Sequence, residues 1–243
     1  MIETILLTAV RVFTFKSDAR LTNASGFFFE RDERLFLVTS RHVLFDEPSS
    51  HYPDRIEIEL HTDPENMVMS TWFSIPLYRS GKGNWRQGVD AAGAIDVAVI
   101  EIERGSLPST TVYRAFTPSH LDHLSEQVLV GTSLLIVGFP LGFHDMLHHM
   151  PVVRHAVVAS SFGLRFQGEG YFLTDARTHR GVSGAPVVMR VSGQDPLQGD
   201  LPWALLGVHS AVLDVGTREQ GVDEALGLNC AWYADILLTL TQP

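Results

Sequence analysis

The chain is 243 residues long, with 45% hydrophobic and 19% charged residues. That balance belongs to a soluble globular protein rather than a disordered one, and the length allows one large all-β domain or two smaller ones with a sizeable core. A formal net charge of −10 without any basic run argues against nucleic acid as a partner, because phosphate binding needs clustered Lys and Arg.

The opening segment, Met1 to Arg11, carries Glu3 where a signal peptide has a basic start, and its apolar run is short. It is expected to be a first strand rather than a targeting segment. No apolar stretch approaches the roughly 20 residues of a membrane helix, so no membrane partner is expected. Cys230 is the only cysteine, which excludes an internal disulfide and suits a reducing compartment. The expected location is cytoplasmic.

Strands are expected at residues 5–15, 26–30, 35–39, 55–60, 72–78 and 97–102. The clearest is Arg55-Ile56-Glu57-Ile58-Glu59-Leu60, whose strict alternation turns Ile56, Ile58 and Leu60 to a core and the charges away from it. Residues 79–88 are rich in glycine and charge and are expected to form a surface loop, with Trp85 packed. Apolar periodicity lapses over 104–126, the best candidate linker, and divides the chain into residues 1–115 and 116–243. Strands resume at 128–139, 152–160, 171–174, 185–189, 203–213 and 227–233, followed by a short terminal helix within 234–240. Many short strands separated by turn signals argue for barrels or a sandwich.

Chemistry concentrates at Thr178-His179-Arg180-Gly181-Val182-Ser183-Gly184-Ala185-Pro186, a serine held in a small-residue turn ahead of an apolar strand. Glycines there allow backbone angles that cost other residues energy, so that amides can face a substrate carbonyl. Upstream, Thr39-Ser40-Arg41-His42-Val43 follows one strand, and Ile95-Asp96-Val97-Ala98-Val99 places an acid at the mouth of another. His, Asp and Ser in this order, each beside a strand, resemble the trypsin-like serine proteases of the chymotrypsin fold. The three motifs match the family's Thr-Ala-Ala-His, Asp-Ile-Ala-Leu and Gly-Asp-Ser-Gly-Gly-Pro patterns and cover the chain from about Ala24 to Leu237.

The resemblance implies an all-β protein of two six-stranded antiparallel β-barrels, with His42 and Asp96 from the first, Ser183 from the second, and a cleft between them. It implies a serine endopeptidase acting on peptide or protein substrates without a cofactor. Ser183 is the expected nucleophile, His42 its base and Asp96 the orienting acid. The amides of Gly181 and Ser183 are the expected oxyanion hole. Val182 stands where trypsins matured by cleavage carry an Asp that pairs with a new N-terminal amine, and a valine cannot make that pair.

Leu206-Gly207-Val208-His209-Ser210-Ala211 resembles the strand walling the primary specificity pocket. Thr178 and His209 stand where glutamyl endopeptidases and viral chymotrypsin-like proteases have Thr and His. Cleavage after Glu or Gln is therefore expected, with Thr178, His209, Ser210 and Ala211 lining the pocket. Asp175, in a Thr-Asp-Ala run similar to that of HtrA-type proteases, is expected to be structural. His144 and His148 are four apart, which would suit a metal on a helix. They follow Gly138-Phe139-Pro140-Leu141-Gly142, similar to a turn of bacterial trypsin-like enzymes, so loop is expected and metal is not.

Two other readings compete. An α/β-hydrolase esterase would need Gly-x-Ser-x-Gly and the order Ser, acid, His, whereas Ala185 breaks the motif. A catalytically silent, protease-like scaffold that binds peptides would keep the fold without assembling the three side chains. No feature of the sequence specifies an oligomeric state.

Overall fold

The computed structural model describes residues 2–121, 128–191, 200–210 and 227–243. The chain enters through a 3-10 turn, Thr4–Leu7, rather than directly as a strand. The Thr8 hydroxyl donates to the Ile5 carbonyl and closes that turn before pairing begins. Strands β1 (Ala9–Lys16), β2 (Ala19–Arg31) and β3 (Arg34–Thr39) form a meander, and a one-turn helix, Arg41–Leu44, follows. Next come β4 (Arg55–His61), β5 (Ser70–Pro76), the two-residue pair β6 (Tyr78–Arg79) and β7 (Lys82–Gly83), β8 (Arg86–Asp90) and β9 (Gly93–Ile102). The second half contributes β10 (Ser133–Gly138), β11 (Val152–Val157), β12 (Tyr171–Thr174), β13 (Pro186–Arg190), β14 (Trp203–Ser210) and β15 (Asn229–Tyr233), then a terminal helix, Ile236–Leu240.

These strands make two large sheets. The first has the order β5-β4-β1-β2-β3-β9-β8 and the second β11-β10-β13-β14-β15-β12. Every pairing within them is antiparallel. That is the all-β architecture expected, and it leaves no place for the parallel sheet of an α/β-hydrolase. The first sheet has seven strands rather than six because residues 86–90, 86–88 of them expected as loop, pair with β9. They are an exposed edge and so lack the apolar alternation that marks a half-buried strand. Residues 122–127 of the expected linker and 211–213 of the expected 203–213 strand lie outside the described residues.

Apolar runs appear because both faces of the curled sheets are covered. On β2, Phe28 points into a cluster inside the first sheet with Leu35, Leu37, Ile56, Ile58 and Ile100. Its neighbours Phe27 and Phe29 join Phe36, Val38 and Val99 in another cluster that also contains Val137, Val188, Val208 and Trp232. The same alternation continues on β3 and β9, so one core fills the first sheet and another fuses the two halves. A third cluster, including Leu134, Ile136, Val187 and Leu206, fills the second sheet. Ile56, Ile58 and Leu60 are buried as their alternation requires, but Glu59 on the opposite face is buried as well.

Trp85 packs edge-on against Tyr78, with ring centroids 5.4 Å apart, and joins the first core. Asp175 is structural in the sense expected: its carboxylate accepts the Val157 amide at 2.8 Å. Phe29 bridges both halves with no exposed surface. Its replacement by Ala is expected to cost about 3–5 kcal/mol, read as a lower midpoint in urea denaturation at unchanged slope.

Candidate active site

Asp96 and His42 are brought together first. β3 ends at Thr39, and the helix turn starting at Arg41 presents His42 to Asp96 on the adjoining strand β9. Asp96 Oδ1 accepts the His42 backbone amide at 2.8 Å, and Oδ2 lies 2.7 Å from the ring Nδ1. The Ser210 hydroxyl donates to the same Oδ2 at 2.9 Å. An ionised carboxylate only accepts, so the ring proton sits on Nδ1 and Nε2 keeps its lone pair. Burial alone pulls the His42 pKa down, but the charge of Asp96 and its hydrogen bond outweigh it, so the imidazole is held above its ordinary 6.5. Burial likewise pushes Asp96 up, and the charge of His42 together with the bonds from its ring, its amide and Ser210 brings the carboxyl below its ordinary value.

Ser183 sits at the head of β13 in a turn that only glycine permits on either side. Gly181 has φ +95°, and a Cβ there would lie 2.5 Å from Asn23 Nδ2 and 2.6 Å from the Phe139 carbonyl. Gly184 has φ +87°, and its Cβ would lie 2.2 Å from the Ser25 carbonyl and 2.3 Å from the Thr39 hydroxyl. Thr39, three residues before His42, therefore packs directly against the residue just after Ser183. Ser40 Oγ also donates to the His209 carbonyl at 3.2 Å, and Gly184 N donates to that carbonyl at 2.8 Å. The structure thus brings all three predicted residues to the junction of the two sheets.

Among the described residues the Ser183 hydroxyl makes no hydrogen bond, to His42 or to any other group. Such contacts are often loose in unliganded sites and tighten on binding. The amides of Gly181 and Ser183 likewise donate to no acceptor among the described residues, although both residues are buried. Their neighbours Val182, Gly184 and Ala185 all donate to backbone carbonyls. An oxyanion needs donors that are not already committed, and these two amides meet that condition.

Thr178 and His209 also meet, 3.1 Å apart between Oγ1 and Nε2. Asn229 orders them: its amide nitrogen donates to the Ala176 carbonyl, so its Oδ1 faces Thr178 and accepts the hydroxyl proton at 2.8 Å. Thr178 then accepts from His209 Nε2–H. Burial, followed by the charge of His42, lowers the His209 pKa to about 3, so this imidazole is neutral. Its Nδ1 is buried with no hydrogen-bond partner among the described residues. Ser210, expected in the pocket wall, turns its hydroxyl to Asp96. Ala211 lies outside the described residues.

Sequence reasoning misses the residues that brace the turn. Ser25 accepts the Phe139 amide at 3.0 Å and donates to the Gly181 carbonyl at 2.8 Å, while its own amide donates to the Ser183 carbonyl at 3.0 Å. Asn229 lies 46 positions beyond Ser183 by their numbers, 229 less 183, and belongs to no local motif. Val182, in place of an aspartate, is 1% exposed and packs in the core of the second sheet with Ala176 and Ala185. Apolar burial holds the turn where an ion pair would otherwise do so.

The trypsin-like peptidase domain family matches residues 24–194 of the chain. A comparison with curated proteins finds no match. Among solved structures, the serine endoprotease from Yersinia pestis is similar, with a TM-score of 0.56 at 16% identity over 97% of this chain and 62% of that one. At that identity the likeness is one of fold, and this chain spans about 62% of the other's length.

The Gly184 contact generates a test of the junction. Gly184→Ala places a methyl group against the Ser25 carbonyl at positive φ and is expected to destabilise the fold by at least about 2 kcal/mol, measured by chemical denaturation.

Proposed function

The chain belongs to the trypsin-like peptidase family, and from that premise we propose that it is a serine endopeptidase working through His42, Asp96 and Ser183. The observation that carries this reading is the double grip of Asp96 on the ring and amide of His42, which leaves Nε2 as a base. Ser183 Oγ attacks the scissile carbonyl as His42 Nε2 takes its proton, and Asp96 stabilises the imidazolium. The developing oxyanion is met by the Gly181 and Ser183 amides, each worth about 3–4 kcal/mol in such sites. The tetrahedral adduct collapses, His42 returns the proton to the leaving amine, and a water activated by the same Nε2 releases the acyl group. The first half of the chain, residues 1–115, supplies the base and acid, and residues 116–243 supply the nucleophile and pocket.

The cut falls after Glu or Gln in this reading. A substrate oxygen would take over donors that now pair with one another, the Thr178 hydroxyl given to Asn229 and the His209 Nε2–H given to Thr178, and such neutral donors suit a carboxamide or carboxylate oxygen. Neutral His209 recognises Gln without change in charge, whereas burying the Glu carboxylate beside it requires one more proton, on either partner.

Two outcomes are expected. Digestion of an unfolded protein, with the cuts mapped by mass spectrometry, proceeds with the native chain and is abolished by Ser183→Ala. The acidic limb of kcat/KM falls above 6.5, because activity needs neutral His42 and its pKa is raised, and Asp96→Asn moves that limb down while lowering kcat on the order of 10⁴-fold. A native protein that a fluorophosphonate probe fails to label at Ser183 would instead be the silent scaffold. For specificity, the ratio of kcat/KM for Glu over Gln peptides is expected to rise as pH falls, by up to about tenfold per unit for a one-proton uptake. Taking the ratio cancels the titration of His42, and a preference for Arg or Phe would end the assignment.

A further inference from the structure

A second cluster of polar groups lies where the loop after β10 folds back over the first sheet. Glu59, on β4, has a side chain only 5% exposed. Its Oε2 accepts Arg11 Nη2 at 2.5 Å, and its Oε1 accepts the Ser70 hydroxyl at 2.9 Å. His149 Nδ1 lies 2.9 Å from that Oε1 but off the hydrogen-bonding direction, so this buried nitrogen has no hydrogen-bond partner among the described residues. His144 Nδ1 is 2.6 Å from the Gly142 carbonyl, to which it can only donate. The lone pair of His144 is therefore on Nε2, and Arg11 Nη1 meets it at 3.0 Å. One donor atom from each of Glu59, His144 and His149 lies within 4.8 Å of the other two.

We propose that Glu59, His144 and His149 bind a divalent transition-metal ion of the zinc class, and that Arg11 is the internal cation that occupies the cluster in its absence. Two imidazoles and one carboxylate, with a fourth position for water, are a ligand set that Zn²⁺ takes. The nitrogens disfavour Ca²⁺ and Mg²⁺, which prefer oxygen. The Gly142 carbonyl supplies the outer hydrogen bond that fixes the tautomer of a ligating histidine. The Arg11 guanidinium also lies 4.9 Å from the Phe13 ring and 5.1 Å from that of Trp72, and it would have to leave Glu59 and His144 for an ion to enter.

His148, the partner that helical spacing suggested for His144, is not part of the cluster. The segment is a turn closed by the Asp145 and Met150 backbones, and His148 Nδ1 bonds to the Asp145 carboxylate at 2.8 Å. His149 is delivered instead because it takes φ +56°, reversing the direction of its side chain. A bound ion would tie β4 to the loop whose first residues brace the serine turn, where Leu141 N donates to the Arg180 carbonyl at 2.6 Å.

The test is a Co²⁺ titration of the full chain, followed by visible absorption and back-titrated with Zn²⁺. One equivalent of Co²⁺ is expected to give intense tetrahedral bands that Zn²⁺ abolishes. His149→Asn, which tolerates the positive φ, weakens binding by more than the roughly 10–100-fold cost of losing an outer partner. Arg11→Met tightens it by about tenfold or more as a like charge leaves a partly buried site. His148→Ala leaves it unchanged. Absence of the bands, indifference to His149→Asn in a folded variant, or loss of binding in His148→Ala would overturn the proposal. None of these readouts depends on peptide cleavage.

Discussion

The architecture of the site rests on one close approach of backbones. Where the serine turn meets the first sheet, Gly184 leaves no room for a Cβ between itself and Ser25 and Thr39. Ser25 then ties the turn from three directions, through the Ser183 and Gly181 carbonyls and the Phe139 amide. Because β3 ends at Thr39, just before the helix turn of His42, that contact ties the His42 turn to the Ser183 turn. A side chain at position 184 would push the two sheets apart at the point where they must meet.

The charged part of the site is arranged against a cost. His42 and Asp96 are both drawn out of water, which opposes ionisation of each, and the opposition is overcome because every lone pair that matters is used. Asp96 receives the ring, the amide and Ser210. Glu59 is handled by the same principle at the other cluster, where Arg11 and Ser70 surround it. His209 takes the opposite course and stays neutral, so its contact with Thr178 is polar without being charged.

Much of this was legible in the chain. The strands on both sides of the core read as apolar runs, and the residues of the three motifs stand where β3, β9 and β13 place them. Other features had no local signature. β8 is an exposed edge, so its pattern is that of a loop. Glu59 sits on the polar face of a regular alternation, and it is buried by Arg11, Ser70 and a loop 84 or more positions away, none of which the alternation announces, as 143 less 59 shows for the loop. Asn229 and Ser25 act through partners far along the chain, and short polar residues of that kind occur everywhere. At His148 the four-residue spacing would have suited a helix, and the loop expected instead is what forms, a turn in which His148 bonds to Asp145.

The apolar cluster shared by the two sheets has a further consequence. Phe27, Phe29, Val188 and Trp232 lie in one buried cluster that spans both sheets, so the turn carrying Ser183 and the turn carrying His42 are pinned to the same packed interior. Any slippage of one sheet along the other would first have to unpick that interior.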